Sequence, residues 1–178
     1  MSQQDSTFEE LHQAARNIIL RQLSAAPKSR YQLAQKLADR DIPEDVSQAV
    51  LDRFEEVELI DDASYAQMWV QSRHRSKGLA RRALNMELKQ RGIDEHHAAA
   101  ALDQVTDDDE WSTAYALVEK RISRSTKLPS TDPSERKERD RLVRRLVGML
   151  SRKGYPPGLA FSVVTDVLKA NDIDYLDE

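Results

Sequence analysis

The chain has 178 residues, of which 33% are charged, 39% hydrophobic and 6% aromatic, with five glycines and no cysteine. The missing cysteines exclude disulfides and thiolate metal sites, and no apolar run approaches the roughly 18 residues that a membrane-spanning helix needs. The formal net charge of −4 argues against a nucleic-acid binder, yet the charge is uneven: residues 1–62 carry 7 basic and 13 acidic side chains, residues 63–105 carry 7 and 4, and residues 120–153 carry 12 and 4. Few glycines and abundant Ala, Leu, Arg, Glu and Gln predict an all-α protein, and the low aromatic content predicts thin helical layers and an elongated shape.

The first unit, residues 1–62, opens on Ser6-x-x-Glu9, which reads as a capping box ahead of a helix carrying Phe8, Leu11, Ala15, Ile18, Ile19 and Leu23. Pro27 ends that helix. Ser29-x-x-Gln32 caps a second, running to about residue 40, and Pro43 or Glu44 begins a third that carries Val46, Ala49, Val50, Leu51 and Phe54. Leu59 and Ile60 are expected to pack beneath the unit.

The second unit, residues 63–106, starts behind Asp62 as N-cap. Tyr65, Ala66, Trp69 and Val70 share one helix face, and Arg73, His74 and Arg75 lie toward the C-terminal end, where cations complement the macrodipole. Gly78 breaks this helix, a second runs over 79–91, Gly92 supplies a left-handed residue, and Asp94 caps an alanine-rich third over 97–105.

The third unit, residues 107–178, starts at the acidic run Asp107-Asp108-Asp109-Glu110, favourable at a helix N-terminus. A helix over 111–121 leads to an inserted loop at about 123–141 that becomes helical after Pro133. A last helix over 159–168 precedes an acidic tail expected to fray.

Each unit contains the same phrase. RYQLAQKLADRDI, LARRALNMELKQRGI and RLVRRLVGMLSRKGY align on Leu37, Leu88 and Leu150, about 51 and 62 residues apart, with Leu33, Leu84 and Leu146 one turn earlier. A basic residue (Arg40, Arg91, Lys153), a chain-reversal residue (Asp41, Gly92, Gly154) and an apolar residue (Ile42, Ile93, Tyr155) follow each time. This spacing predicts a helical-repeat array, with the inserted loop accounting for the longer second interval.

Catalytic patterns are missing. His12, His74, His96 and His97 lack metal-ligand spacing and read as surface or capping residues, no phosphate-cradling glycine loop occurs, and the carboxylates cluster at helix starts. The apolar stripe of Leu142, Leu146, Val147 and Leu150 reads as core, and Tyr65, Trp69 and Trp111 read as structural anchors. Two basic clusters stand out as candidates for contact with phosphates or an acidic protein groove, with a solvated face as the alternative. One is Arg73, Arg75, Lys77, Arg81 and Arg82 around the Gly78 break. The other is Arg144, Arg145, Arg152 and Lys153.

The phrase YAQMWVQSRHRSKGLARRALNMELKQRGI resembles the central signature of the RecX family of bacterial recombination regulators: an aromatic-Ala helix, a basic stretch, a Gly, then a helix ending in a basic-Gly-Ile turn. RLVRRLVGMLSRKGY resembles the family's late element, and the resemblance spans about residues 10–169. Asp41 stands where a Gly is typical, and Leu79-Ala80 where a Pro is often seen. The resemblance implies an array of three three-helix repeats, without cofactor or catalysis, that binds the RecA recombinase and its filament on single-stranded DNA. It further implies restraint of strand exchange, ATP hydrolysis and co-protease activity in DNA repair and the SOS response. The polar, acidic start MSQQDSTFEE and the missing apolar span predict a cytoplasmic protein, expected to be a monomer. Weak contact with single- or double-stranded DNA is left open. A helical-repeat DNA-binding transcription regulator is the competing class, disfavoured by the acidic balance and by third helices nearly devoid of base-reading side chains.

Overall fold

The computed structural model describes residues 3–124, 129–130 and 132–171, with side chains from residue 7 onward. Among them lie nine α-helices and no strand: α1 Gln3–Ala25, α2 Arg30–Ala38, α3 Glu44–Glu56, α4 Asp62–Lys77, α5 Arg81–Gln90, α6 Glu95–Leu102, α7 Asp107–Ser123, α8 Arg136–Arg152 and α9 Pro157–Ala170. The chain forms two compact bodies. One takes the described residues up to Trp69 with Glu87–Ala101; the other takes Val70–Met86 with the described residues from Leu102 onward, so that α4 and α5 contribute to both.

In the first body α1, α2 and α3 pack around Ala15, Ile19, Leu33, Leu37, Val50 and Leu51, none more than 3% exposed. Burying each large side chain contributes about 1.5–3 kcal/mol, which offsets the entropy of ordering short helices that would be marginal alone. In the second body α7, α8 and α9 enclose Val118, Leu142, Leu146, Leu150, Val163 and Leu168, joined by Ala80 from the turn before α5.

The repeated phrase has a common geometry. Asp41, Gly92 and Gly154 all have positive φ, at 56°, 71° and 90°. The next amide in each copy, of Ile42, Ile93 and Tyr155, donates to the carbonyl of Leu37, Leu88 and Leu150 at 3.2, 3.1 and 3.2 Å. This is the six-to-one hydrogen bond of a Schellman cap, and the apolar residue that follows each left-handed position is buried beside the helix it terminates. The six aligned leucines are at most 1% exposed.

Several helix starts differ from the expectation. Helix α1 begins at Gln3, so Ser6 lies inside it and is not its cap; a 23-residue amphipathic helix packed on a core forms without that signal. Asp61, not Asp62, caps α4: its carboxylate accepts the Ser64 amide at 2.9 Å and the Ser64 hydroxyl at 2.6 Å, which holds the acid below its usual pKa. Asp62 instead accepts the Arg30 amide at 2.8 Å, satisfying the first donor of α2. Helix α7 starts earlier than expected, behind Thr106, which shares a reciprocal capping box with Asp109. The Thr106 amide and hydroxyl hold the Asp109 carboxyl below the ordinary range, so its contribution is present above about pH 4 and is lost as pH falls through the depressed value.

Other expectations hold. Ser29 and Gln32 form the capping box of α2, Asp94 accepts the His97 amide at 2.9 Å at the start of α6, and Pro43 precedes α3. On α3, however, Ser47 is buried while Ala49 is exposed, and after it Ile60 is buried while Leu59 is 54% exposed. Of the expected inserted loop over 123–141, residues 125–128 and 131 lie outside the described residues, as does all but the first residue of the acidic tail. Its later part is ordered as a 3-10 turn, Pro133–Glu135, that leads into α8, so 136–141 are already helical, as expected after Pro133.

Candidate functional site

The last turn of α4 carries Arg75 and Lys77, both exposed, and Gly78 ends the helix with φ 61°. The segment after it is pinned to the turn between α8 and α9. The Ala80 amide donates to the Lys153 carbonyl at 2.9 Å, the buried Tyr155 hydroxyl donates to the Gly78 carbonyl at 3.0 Å, and the Lys153 ammonium donates to the Lys77 carbonyl. Burial pushes the Tyr155 phenol well above its usual pKa, so it remains a donor throughout the physiological range. The His74 ring lies 2.8 Å from the Leu79 carbonyl through Nδ1 and 3.1 Å from the Thr113 hydroxyl through Nε2, tying the same segment to α7.

These anchors border an open groove of about 490 Å³. Arg75, Lys77, Lys120 and Lys153 supply its charge, Ser112 and Thr113 supply hydroxyls, and Gly78, Ala116 and Leu117 supply uncharged lining; among the described residues no carboxylate lines it. Burial, and then the neighbouring charge of Lys77, lower the pKa of Lys153. Among the described residues no hydrogen bond or ion pair joins the side chains of Arg75, Lys77 or Lys120 to a protein partner, and no group of three or more His, Asp or Glu is placed to hold a metal ion.

Of the first sequence-predicted cluster, Arg75 and Lys77 thus meet in the groove. Arg73 is half-buried and engaged, and Arg82 is exposed on α5 outside the groove. Arg81 departs from the expectation of an exposed cation available to a partner. Its amide donates to Glu110 Oε1 at 2.7 Å, and its guanidinium pairs with Glu110 Oε2 at 3.0 Å and with Asp107. Glu110 is only 4% exposed, so Arg81 neutralises a buried carboxylate at the start of α7. Arg81→Ala should therefore cost about 1–2 kcal/mol, the lower part of the range for a lost charged hydrogen bond, because the arginine itself is partly solvated. Urea denaturation with Arg82→Ala as the exposed comparison checks this; equal midpoints for the two variants would make the pair energetically idle.

From the second cluster, Lys153 joins the groove. Arg145 lines a different cavity of about 460 Å³ beside Arg141, Glu135 and Glu138, and Arg144 is exposed with Nε donating to the Asp140 carbonyl at 3.2 Å. Arg152 is exposed near Gly148. Lys120 was missed; its only signal was its place at the front of the basic 120–153 stretch. Trp69 is half-buried in the first body, with the Arg91 guanidinium 3.5 Å from its ring centre and its indole N–H donating to Glu87 at 2.8 Å, an anchor of the kind expected.

Three-helix turns closed by the same left-handed cap define a tandem helical-repeat protein. The family models for the first and second three-helix domains of RecX match residues 15–54 and 61–102. The regulatory protein RecX of Thermobifida fusca is 45% identical over 166 residues, covering 93% of this chain and 85% of that protein. That of Streptomyces coelicolor is 43% identical over 160 residues, covering 90% and 80%. The chain belongs to the RecX family of regulatory proteins. The crystal structure of RecX from Lactobacillus salivarius shares the fold with a TM-score of 0.73 at 21% identity, over 89% of this chain and 97% of that one. No helix among the described residues is long and apolar enough to cross a membrane.

Proposed function

We propose that this chain binds the RecA recombinase, chiefly its filament on single-stranded DNA, and restrains strand exchange, ATP hydrolysis and co-protease activity without catalysing a reaction. It acts as a cytoplasmic monomer built of repeats over 1–62, 63–106 and 107–178. The observation that carries this reading is the 45% identity to a regulatory protein RecX over 93% of the chain. The groove on the second body supports it: a surface with four cations and, among the described residues, no carboxylate suits a polyanionic assembly better than a neutral protein face.

The transcription-regulator reading has less support. A recognition helix needs side chains that reach base edges, and α6 consists of Glu95, His96, His97, alanines and Leu102. The deciding experiment is a pull-down on immobilised chain with three inputs: free RecA, RecA assembled on single-stranded DNA, and naked duplex. Retention of RecA, greatest from the filament, with slowed strand exchange at matching concentrations, is the expected outcome. Capture of a specific duplex and no RecA would replace this reading with the regulator.

A further inference from the structure

We infer that the groove bordered by Arg75, Lys77, Lys120 and Lys153 is a direct binding site for the phosphodiester backbone of nucleic acid, read without regard to base sequence. This deepens the proposed function by giving the chain its own contact with the DNA inside the assembly it regulates, and it can be tested with RecA absent.

Four features of the groove carry the inference. Its charge is uncompensated: no carboxylate lines it, and the side chains of Arg75, Lys77 and Lys120 have no protein partner among the described residues. By contrast, the less exposed arginines Arg30 and Arg81 are each paired, Arg30 with Asp52 and Glu55, and Arg81 with Asp107 and Glu110. The cations here are held together at a cost in mutual repulsion that a bound anion would relieve.

The charge type is compatible with phosphate. Three lysines and one arginine present mostly compact ammonium groups, which bind phosphate oxygens as point charges. Among the described residues the lining contains no aromatic side chain on which a base could stack, and what remains is contact with the backbone.

The groove is also built rather than incidental. The Lys153 ammonium is fixed on the Lys77 carbonyl, and the Gly78 carbonyl is fixed by Tyr155 at 3.0 Å. A Cβ on Gly78 would lie 2.9 Å from Leu117 Cδ1, and its φ of 61° is one that L side chains rarely adopt, so glycine suits the point where the turn lies close against α7. Lys77 and Lys120, from helices 43 residues apart in sequence number, are thereby held on the same opening.

The test is fluorescence anisotropy of labelled oligothymidylate, oligoadenylate and a mixed duplex with the full chain alone, across a salt series. Wild type should bind all three with similar affinity and a steep salt dependence. The triple variant Arg75→Gln/Lys77→Gln/Lys120→Gln should bind at least roughly tenfold more weakly, with the single-strand salt slope reduced by about two, since each lost phosphate contact removes about 0.7. A charge-matched comparison, Arg136→Gln/Lys137→Gln on the exposed start of α8, should lose much less. Should the triple variant melt early, Lys120→Gln alone, exposed in the second half of α7, replaces it and should lower the slope by about 0.7.

Any of the following overturns the inference: no oligonucleotide binding by wild type, groove variants that bind like wild type, an equal loss in the α8 comparison, or strong preference for one base. Displacement of oligothymidylate by polyglutamate at equal charge concentration would also overturn it, in favour of an acidic protein ligand. RecA capture measured in parallel distinguishes these failures from failure of the proposed function, because a chain that ignores naked DNA can still retain RecA.

Discussion

Leu88→Ala is expected to lower the free energy of unfolding by about 2–5 kcal/mol in a denaturant titration. Leu88 is 0% exposed on α5, and its carbonyl accepts the Ile93 amide at 3.1 Å in the left-handed cap. Truncation removes buried methyls at the point where the helix is being terminated, so the void has a backbone turn on one side and cannot collapse cheaply. Leu37 and Leu150 occupy the same place relative to their caps and are also 0% exposed. Met86, two residues before Leu88 and 59% exposed, serves as the internal comparison: Met86→Ala should stay within about 0.5 kcal/mol. A loss below about 0.5 kcal/mol for Leu88→Ala would mean that the repeat register is wrong.

That register was legible because it is local. Leucines four apart, a basic residue and a chain reversal lie within one helix and its cap, and hydrophobic periodicity with cap chemistry reports just such neighbours. Even Asp41, where the other copies have glycine, was readable from its place in the phrase, and it adopts the same left-handed conformation at φ 56°. Glu58, at φ 57° after α3, was not readable: the Leu59 amide donates to the Phe54 carbonyl at 2.9 Å in the same six-to-one pattern, but nothing in the chemistry of a glutamate announces a positive φ and this turn lies outside the repeated phrase.

The candidate site was half legible for a related reason. Composition located cations near Gly78 and in 120–153, but whether a cation is free depends on partners distant in sequence. Arg81 meets Glu110 across 29 residues and is withdrawn from the surface set. Lys153 reaches Lys77 across 76 residues and joins it. Lys120 becomes part of the groove only because α7 lies beside the end of α4 in the second body. Arg139, 4% exposed, donates to the carbonyls of Ser130 and Asp132, a burial no charge pattern would reveal.

A further long-range approach, of Gly154 to Ala83, yields the other large expected effect, in Gly154→Ala. Residue 154 has φ 90°, where an L side chain is strained by about 1–2 kcal/mol. The added Cβ would also fall 2.6 Å from the Ala83 backbone nitrogen and 2.7 Å from its Cβ. Backbone at the start of α5 cannot swing aside as a long side chain would, so an overpacking cost of about 1–3 kcal/mol adds to the strain. The expected total is about 2–5 kcal/mol, read as a lowered urea midpoint. Gly158→Ala is the opposite case: nothing lies within 4 Å of its Cβ position in the first turn of α9, so alanine should be neutral or stabilise by up to about 1 kcal/mol. Relief of the clash by separating the turn from α5 would break the Ala80 to Lys153 hydrogen bond and displace the Lys153 ammonium from Lys77, so oligonucleotide affinity should fall even under conditions where the variant is folded. Equal urea midpoints for Gly154→Ala and Gly158→Ala would show that the turn is not packed on α5 in solution, and the groove it helps to border would lose its anchor.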